Sequence, residues 1–257
     1  MDKSILTITF QVIVVFQCGS LVGQNLEVLQ KARLVPSQLD SCELEYASDV
    51  IRFEPRKLAV DGDKFYLNAV TKTVAFDGNQ HWSKNADGKG ALISKMKVEG
   101  SIQLDIHPLI MPYNWFWENI SQGKWSDLRS QEMWDATIKR MTFRESKPIL
   151  GQDCCIYEIA YSSDNVFFVA IGKDGFPIQV ESQKKGESSK LEVLRVVRHS
   201  SGAIIGTEFL RTRPDDSQSS VLVEEKSLRI NEKVDPALFS FDPLGVVELI
   251  DLDKKSK

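Results

Sequence analysis

Residues 155–182 read CIYEIAYSSDNVFFVAIGKDGFPIQVES, and this stretch decides the fold class. Cys155 to Tyr161, Val166 to Ile171 and Pro177 to Ser182 are three short, mostly apolar runs, separated by Ser162-Ser163-Asp164 and by Lys173-Asp174-Gly175. Runs of that length bounded by Ser, Asp and Gly are strands joined by turns. Asp174-Gly175 suits the positive φ angles of a tight hairpin, so these strands should be sequential and antiparallel.

The same rhythm extends in both directions. Downstream lie Leu191 to His199, Ala203 to Arg211 and Val221 to Ile230. Upstream, Cys42, Leu44 and Tyr46 alternate with Glu43 and Glu45, followed by Leu58 and Val60, by Phe65, Leu67 and Ala69, and by Val74 and Phe76. Such alternation buries one face of a strand. Asp61-Gly62, Asp77-Gly78 and Asp87-Gly88 supply the turns. Before the strands, Asn25 to Arg33 predicts a short helix with Leu26, Val28, Leu29 and Ala32 near one face, stopped by Pro36. About ten sequential antiparallel strands exceed what stays flat, and predict a mainly β (α+β) fold whose sheet curls toward a barrel or half-barrel.

Residues 101–141 break the rhythm. Ile106, Leu109, Ile110, Met111, Tyr113, Trp115, Phe116, Trp117 and Ile120, interrupted by Pro108 and Pro112, are too irregular for a strand. They read as helical turns and loop crossing the sheet, followed by a short helix near Ser126 to Arg140 that carries Leu128, Trp134 and Ile138. Four of the five Trp residues fall between 115 and 134, so bulky apolar surface is concentrated on one connection. That insert either completes a packed core or covers an apolar cavity as a lid. No repeat or Ser/Pro/Gly linker divides residues 24–257, which predicts one domain, and the charged tail Asp251 to Lys257 should fray.

Composition narrows the function. The chain has 257 residues, a formal charge of −4 and no basic block, which argues against nucleic acid as a partner. Three His and four Cys, with neither paired CxxC nor HExxH, offer no metal signature, and no cofactor motif is present. Lys3, the apolar run Ile5 to Phe16, and Gly19, Ser20 and Gly23 read as a signal peptide over residues 1–23, with export from the cytoplasm. Cys18 could carry a lipid anchor, but Gln17 spoils the lipobox and plain export is favoured. Cys42, Cys154 and Cys155 then remain: one disulfide from Cys42 to Cys154 or Cys155, or three buried small hydrophobes.

The order of these elements resembles the LolA-like family of periplasmic carriers that sort outer-membrane lipoproteins. The resemblance rests on Phe76-Asp77-Gly78-Asn79-Gln80-His81-Trp82, on Gly151-Gln152-Asp153-Cys154-Cys155, on Lys173-Asp174-Gly175-Phe176-Pro177-Ile178, and on Val234-Asp235-Pro236-Ala237-Leu238-Phe239 with Phe241-Asp242-Pro243 and Gly245. The chain departs from the pattern at Pro243-Leu244, where a double proline is common, and in the length and Trp content of its insert. The resemblance implies an unclosed, curved antiparallel half-barrel with a short N-terminal helix and a helical lid. It also implies a periplasmic monomer whose apolar face shelters acyl chains of lipoproteins or free lipid, with envelope membrane components as further partners.

No catalytic group stands out beside that reading. No G-x-S-x-G surrounds a serine; His81, His107 and His199 are scattered; Asp105 and His107 form a weak pair at best. Glu43 and Glu45 read as a solvated strand face, and vicinal Cys154-Cys155 lacks the spacing of a redox pair. Asn119-Ile120-Ser121 is a glycosylation sequon that matters only in a eukaryotic secretory pathway. Two functions follow: a carrier whose lid residues Ile110, Met111, Trp115, Phe116, Trp117 and Trp134 contact acyl chains, or an envelope protein with a filled core that binds a protein or small ligand.

Overall fold

The structure is a computed structural model and describes residues 25–49, 55–69, 71–95, 108–116 and 128–254. In β1 (Ser41–Ser48), Cys42, Leu44 and Tyr46 are buried and Glu45 is exposed, as alternation requires. Cys42 lies opposite Val60, and Leu44 opposite Leu58, in β2 (Arg56–Asp61). The meander continues through β3 (Lys64–Asn68), β4 (Lys72–Phe76), β5 (His81–Asn85) and β6 (Gly90–Ser94). Because the side-chain period is two, in-register pairing aligns apolar side chains in rows across the sheet. Val60, Phe65, Phe76 and His81 form one row, and Leu58, Leu67 and Val74 the next.

A second meander runs through β7 (Met141–Ile149), β8 (Gln152–Ser162), β9 (Asn165–Gly172), β10 (Pro177–Lys184), β11 (Glu187–Arg198), β12 (Ile204–Thr212) and β13 (Gln218–Val223). β13 pairs with the end of β1, Val223 opposite Tyr46, and so joins the two meanders into one sheet. With β14 (Arg229–Ile230) also on β1 and β15 (Glu248–Asp251) beside β6, the sheet has 15 strands, is curved, and stays unclosed, with β15 and β7 at its edges. The mainly β, open half-barrel expectation holds.

Several local expectations are corrected. The strand count exceeds ten because β5, β6, β7 and β15 do not bury apolar side chains in a clear period of two; β7 is an edge strand with most side chains in solvent. Residues 221–230 are not one strand: a 3-10 turn at Glu225–Ser227 divides β13 from β14, its Ser227 hydroxyl donating to the Glu224 carbonyl at 2.6 Å. β15 pairs parallel to β6, the exception to antiparallel order. The segment before Lys254 does not fray, since the Lys95 amide donates to Asp253 Oδ2 at 2.8 Å.

The first helix, α1, covers residues 25–34 and buries Val28, Leu29 and Ala32, while Leu26 faces solvent. Gly175 fixes where α1 sits. It has φ +87°, and a Cβ there would lie 2.4 Å from the Ala32 amide nitrogen, so the β9–β10 hairpin presses directly on the helix backbone. On the outer face, Ala59, Val234 and Phe239 form a second, smaller apolar cluster against Tyr66 and Leu238. Trp82 Nε1 donates to the Phe239 carbonyl at 2.7 Å, which ties the segment after β14 across the back of β1–β6.

Candidate functional site

The inner face of the sheet is covered by α1 and by the insert. Residues 108–110 form a turn, and Met111–Phe116 is a 3-10 stretch kinked at Tyr113. Pro108 and Pro112 lack the N–H groups that a regular helix would need. α2 (Gln131–Ile138) follows, with the Ser130 hydroxyl accepting from the Met133 amide at 3.4 Å as its N-cap.

The structure brings Ile110, Met111, Trp115 and Trp134 together in the main apolar cluster, both Trp rings 0% exposed. Trp115 and Trp134 meet edge to face, centroids 5.7 Å apart. Each indole satisfies its N–H locally: Trp115 Nε1 donates to the Pro112 carbonyl at 3.0 Å, and Trp134 Nε1 to the Leu128 carbonyl at 2.7 Å. The insert is tied to the sheet by the Tyr161 hydroxyl, which donates to the Trp115 carbonyl at 2.6 Å, and by Tyr113 packing edge-on against Phe176. Between insert, α1 and β12, around Leu39, Leu109, Tyr113 and Ile205, a gap of about 10 Å³ remains. That is room for a single water at most. Trp117, Asp105, His107, Asn119, Cys18 and the signal sequence lie outside the described residues, and Phe116 is described in its backbone alone.

The anticipated disulfide is not formed: Cys42, Cys154 and Cys155 are free, buried thiols. Five strands separate β1 from β8 in the sheet order. Cys155 Sγ instead approaches Asn25 Oδ1 at 3.5 Å, and the Tyr157 hydroxyl donates to the Asn25 carbonyl at 2.8 Å, anchoring the start of α1. Burial pushes the Cys42 thiol up to about 12 and the Cys154 thiol up to about 11, which makes both poor nucleophiles. An open cleft of about 400 Å³ lies beside Cys154 and Cys155, between α1 and the β7–β8 hairpin, lined also by Lys31, Lys147, Lys173 and Asp153. Its charges are internally matched, Lys31 with Glu27 at 2.7 Å and Lys173 with Asp153 at 2.6 Å.

Among the described residues no three of His, Cys, Asp or Glu converge into a metal site, and no helix is long and apolar enough to cross a membrane. His81 is buried on the inner face, stacked on Phe76 at 4.4 Å between centroids. His199 is held at the surface, its Nδ1 within 2.9 Å of the Ser201 hydroxyl. One inner-face residue escaped the sequence reading. Arg56 lies two positions before Leu58 and four before Val60, so strand alternation alone already assigned it to their face.

No family model matches the sequence, and no curated protein matches it. Solved structures do. A DUF1329 family protein from Desulfovibrio piger is 13% identical, with 83% of this chain and 95% of that one covered and a TM-score of 0.48. An outer membrane lipoprotein-sorting protein domain from Vibrio parahaemolyticus is also 13% identical, with 82% and 95% covered and a TM-score of 0.48. The LolA superfamily, which the sequence motifs resemble, appears among these similar structures as a protein from Nitrosomonas europaea, 9% identical over 84% of this chain and 97% of that one, with a TM-score of 0.44.

Proposed function

We propose that this protein is an exported binding protein that shelters acyl chains of lipoproteins or lipids between its insert and the inner face of its open sheet. The observation that carries the reading is the described part of the insert, an apolar segment whose Trp115 and Trp134 indole N–H groups bond to carbonyls within the same connection, laid on an unclosed sheet. A plug of that kind can leave without breaking a strand ladder, and an acyl chain can replace its apolar contacts. Each buried CH₂ contributes roughly 0.8 kcal/mol, so binding needs no catalytic group. Ile110, Met111, Trp115 and Trp134, with Phe116 and Trp117, are the side chains that would meet the chain. Export of the segment after residue 23, a periplasmic location and a monomeric state belong to the same reading.

A second reading, a filled-core envelope protein that binds another protein or a small ligand, is supported by the close packing of Leu109, Pro112 and Tyr113 on Phe176 and Ile205, where the gap is about 10 Å³. Native mass spectrometry of protein purified from its own host separates the two. Co-purifying acyl lipid at one complex per chain supports the carrier; lipid-free protein that also ignores a fluorescent acyl probe supports the filled core.

A further inference from the structure

Four arginines at the surface of the described residues pair with carboxylates: Arg129 with Asp40, Arg144 with Glu158, Arg195 with Glu225 and Arg198 with Asp174. The buried one does not. Arg56 opens β2 on the inner face, opposite Tyr46 of β1, and both residues are 2% exposed. Arg56 Nε and the Tyr46 hydroxyl have no hydrogen-bond partner, and among the described residues no carboxylate pairs with the guanidinium. The guanidinium carbon lies 5.9 Å from the Tyr46 ring centre. That cation–π contact offsets only part of the desolvation of a buried cation.

Burial also holds the Tyr46 hydroxyl above the ordinary phenol range, so it is a neutral donor beside a cationic one. The Tyr46 oxygen can itself accept from Arg56, but the phenol O–H and the other guanidinium N–H groups are donors, and a charged donor set of that kind complements an oxyanion. The neighbouring inner-face residues are apolar: Leu44 and Leu58 along the two strands, and Val223 opposite Tyr46. Building on the proposed function, we infer that Arg56 and Tyr46 form a head-group site for the carboxylate or phosphate of an amphiphile whose acyl chain lies on the inner face. A free anion would satisfy the donors yet leave the apolar rows beside them without a ligand.

The test titrates the full chain with palmitate, hexadecyl phosphate, methyl palmitate and inorganic phosphate. The two anionic amphiphiles should bind about tenfold or more tighter than the ester, as expected for hydrogen bonds to a charged group. Arg56→Leu should erase that preference by lowering the affinity of the two anionic amphiphiles about tenfold more than that of methyl palmitate; Tyr46→Phe should narrow it. Should Arg56→Leu fail to fold, Arg56→Lys keeps the cation without the planar fork, and a preference as large as the parent's would overturn the inference. Equal binding of all three lipids by the parent, or equal loss of all three in Arg56→Leu, overturns it while leaving the acyl reading intact. Failure of every lipid to bind removes both. Inorganic phosphate displacing palmitate as well as hexadecyl phosphate does would replace the amphiphile by a free anion and overturn the assignment.

Discussion

Trp115→Ala tests whether the insert opens. The ring is 0% exposed, contacts Trp134 edge to face at 5.7 Å, and donates its N–H to the Pro112 carbonyl of the same segment. Truncating a buried Trp costs about 3–5 kcal/mol, so the midpoint of chemical denaturation should fall accordingly. Acyl binding requires the insert to lift, and the stability of the closed form subtracts from apparent affinity. Where the ring regains about half of its burial against a bound acyl chain, half of the loss is shared by the bound form. The other half, about 2 kcal/mol, should appear as roughly 30-fold tighter binding of a fluorescent acyl probe. Denaturation and probe titration of parent and variant side by side provide both numbers. A variant that loses 3–5 kcal/mol and binds the probe no more tightly than the parent would refute an opening insert, and a parent that never binds the probe would refute the carrier.

Three further outcomes follow from the packing. Gly175→Ala places a side chain at φ +87° and 2.4 Å from the Ala32 amide; about 2 kcal/mol or more of stability should be lost, and Cys155 should become reactive to a thiol reagent as α1 lifts. An unchanged urea midpoint would contradict that contact. Cys42 and Cys154 have folded values raised from 9.0 to about 12 and about 11, so their contribution is complete below about pH 9 and is lost as pH climbs toward those values. Cys42→Ala should make that alkaline limb shallower than the parent's, with Cys154 still contributing, and denatured protein comprising residues 25–257 should titrate as three free thiols; a limb as steep as the parent's or fewer thiols would count against the buried, reduced state. Trp82→Phe removes the 2.7 Å bond to the Phe239 carbonyl and should cost about 1 kcal/mol, with faster proteolysis within residues 231–247 as its local signature.

How much of this was legible in the sequence follows from what each residue has to bury. Leu44, Leu58 and Phe65 announce their strands because one face of each is core and the other is not. Met141 to Ile149 does not, because an edge strand with Arg144, Glu145 and Lys147 in solvent carries almost no period-two signal. The hairpin turns were readable from Asp-Gly, whose chemistry is local. Chain-distant pairings, β1 with β13 and β15 parallel to β6, depend on the closure of long loops and leave no local mark. At the candidate site, Trp115 and Trp134 were visible as bulk on one connection, but their pairing with each other was not. Arg56 shares the face of Leu58 and Val60 by alternation, yet one charged residue at a strand start looks like a solvated end; its pairing with Tyr46 of β1 is what leaves no local mark.

The two apolar clusters divide the labour of the fold. Ala59 is buried on the outer face, where Val234 and Phe239 cover it and Trp82 bonds the segment that covers it. That half of the sheet is therefore braced from behind by a segment that belongs neither to α1 nor to the insert. The strand ladders of β1–β6 are completed by one another, by β13 and by β15, again without the insert. Removing the insert from the inner face exposes apolar rows but strips no strand of its partner, so the sheet can persist while its covering is exchanged. A protein whose inner face were its entire core would lose its fold with its plug. On the proposed reading, a back braced in this way would let the front open, with an apolar ligand taking the place of Trp115 and its neighbours.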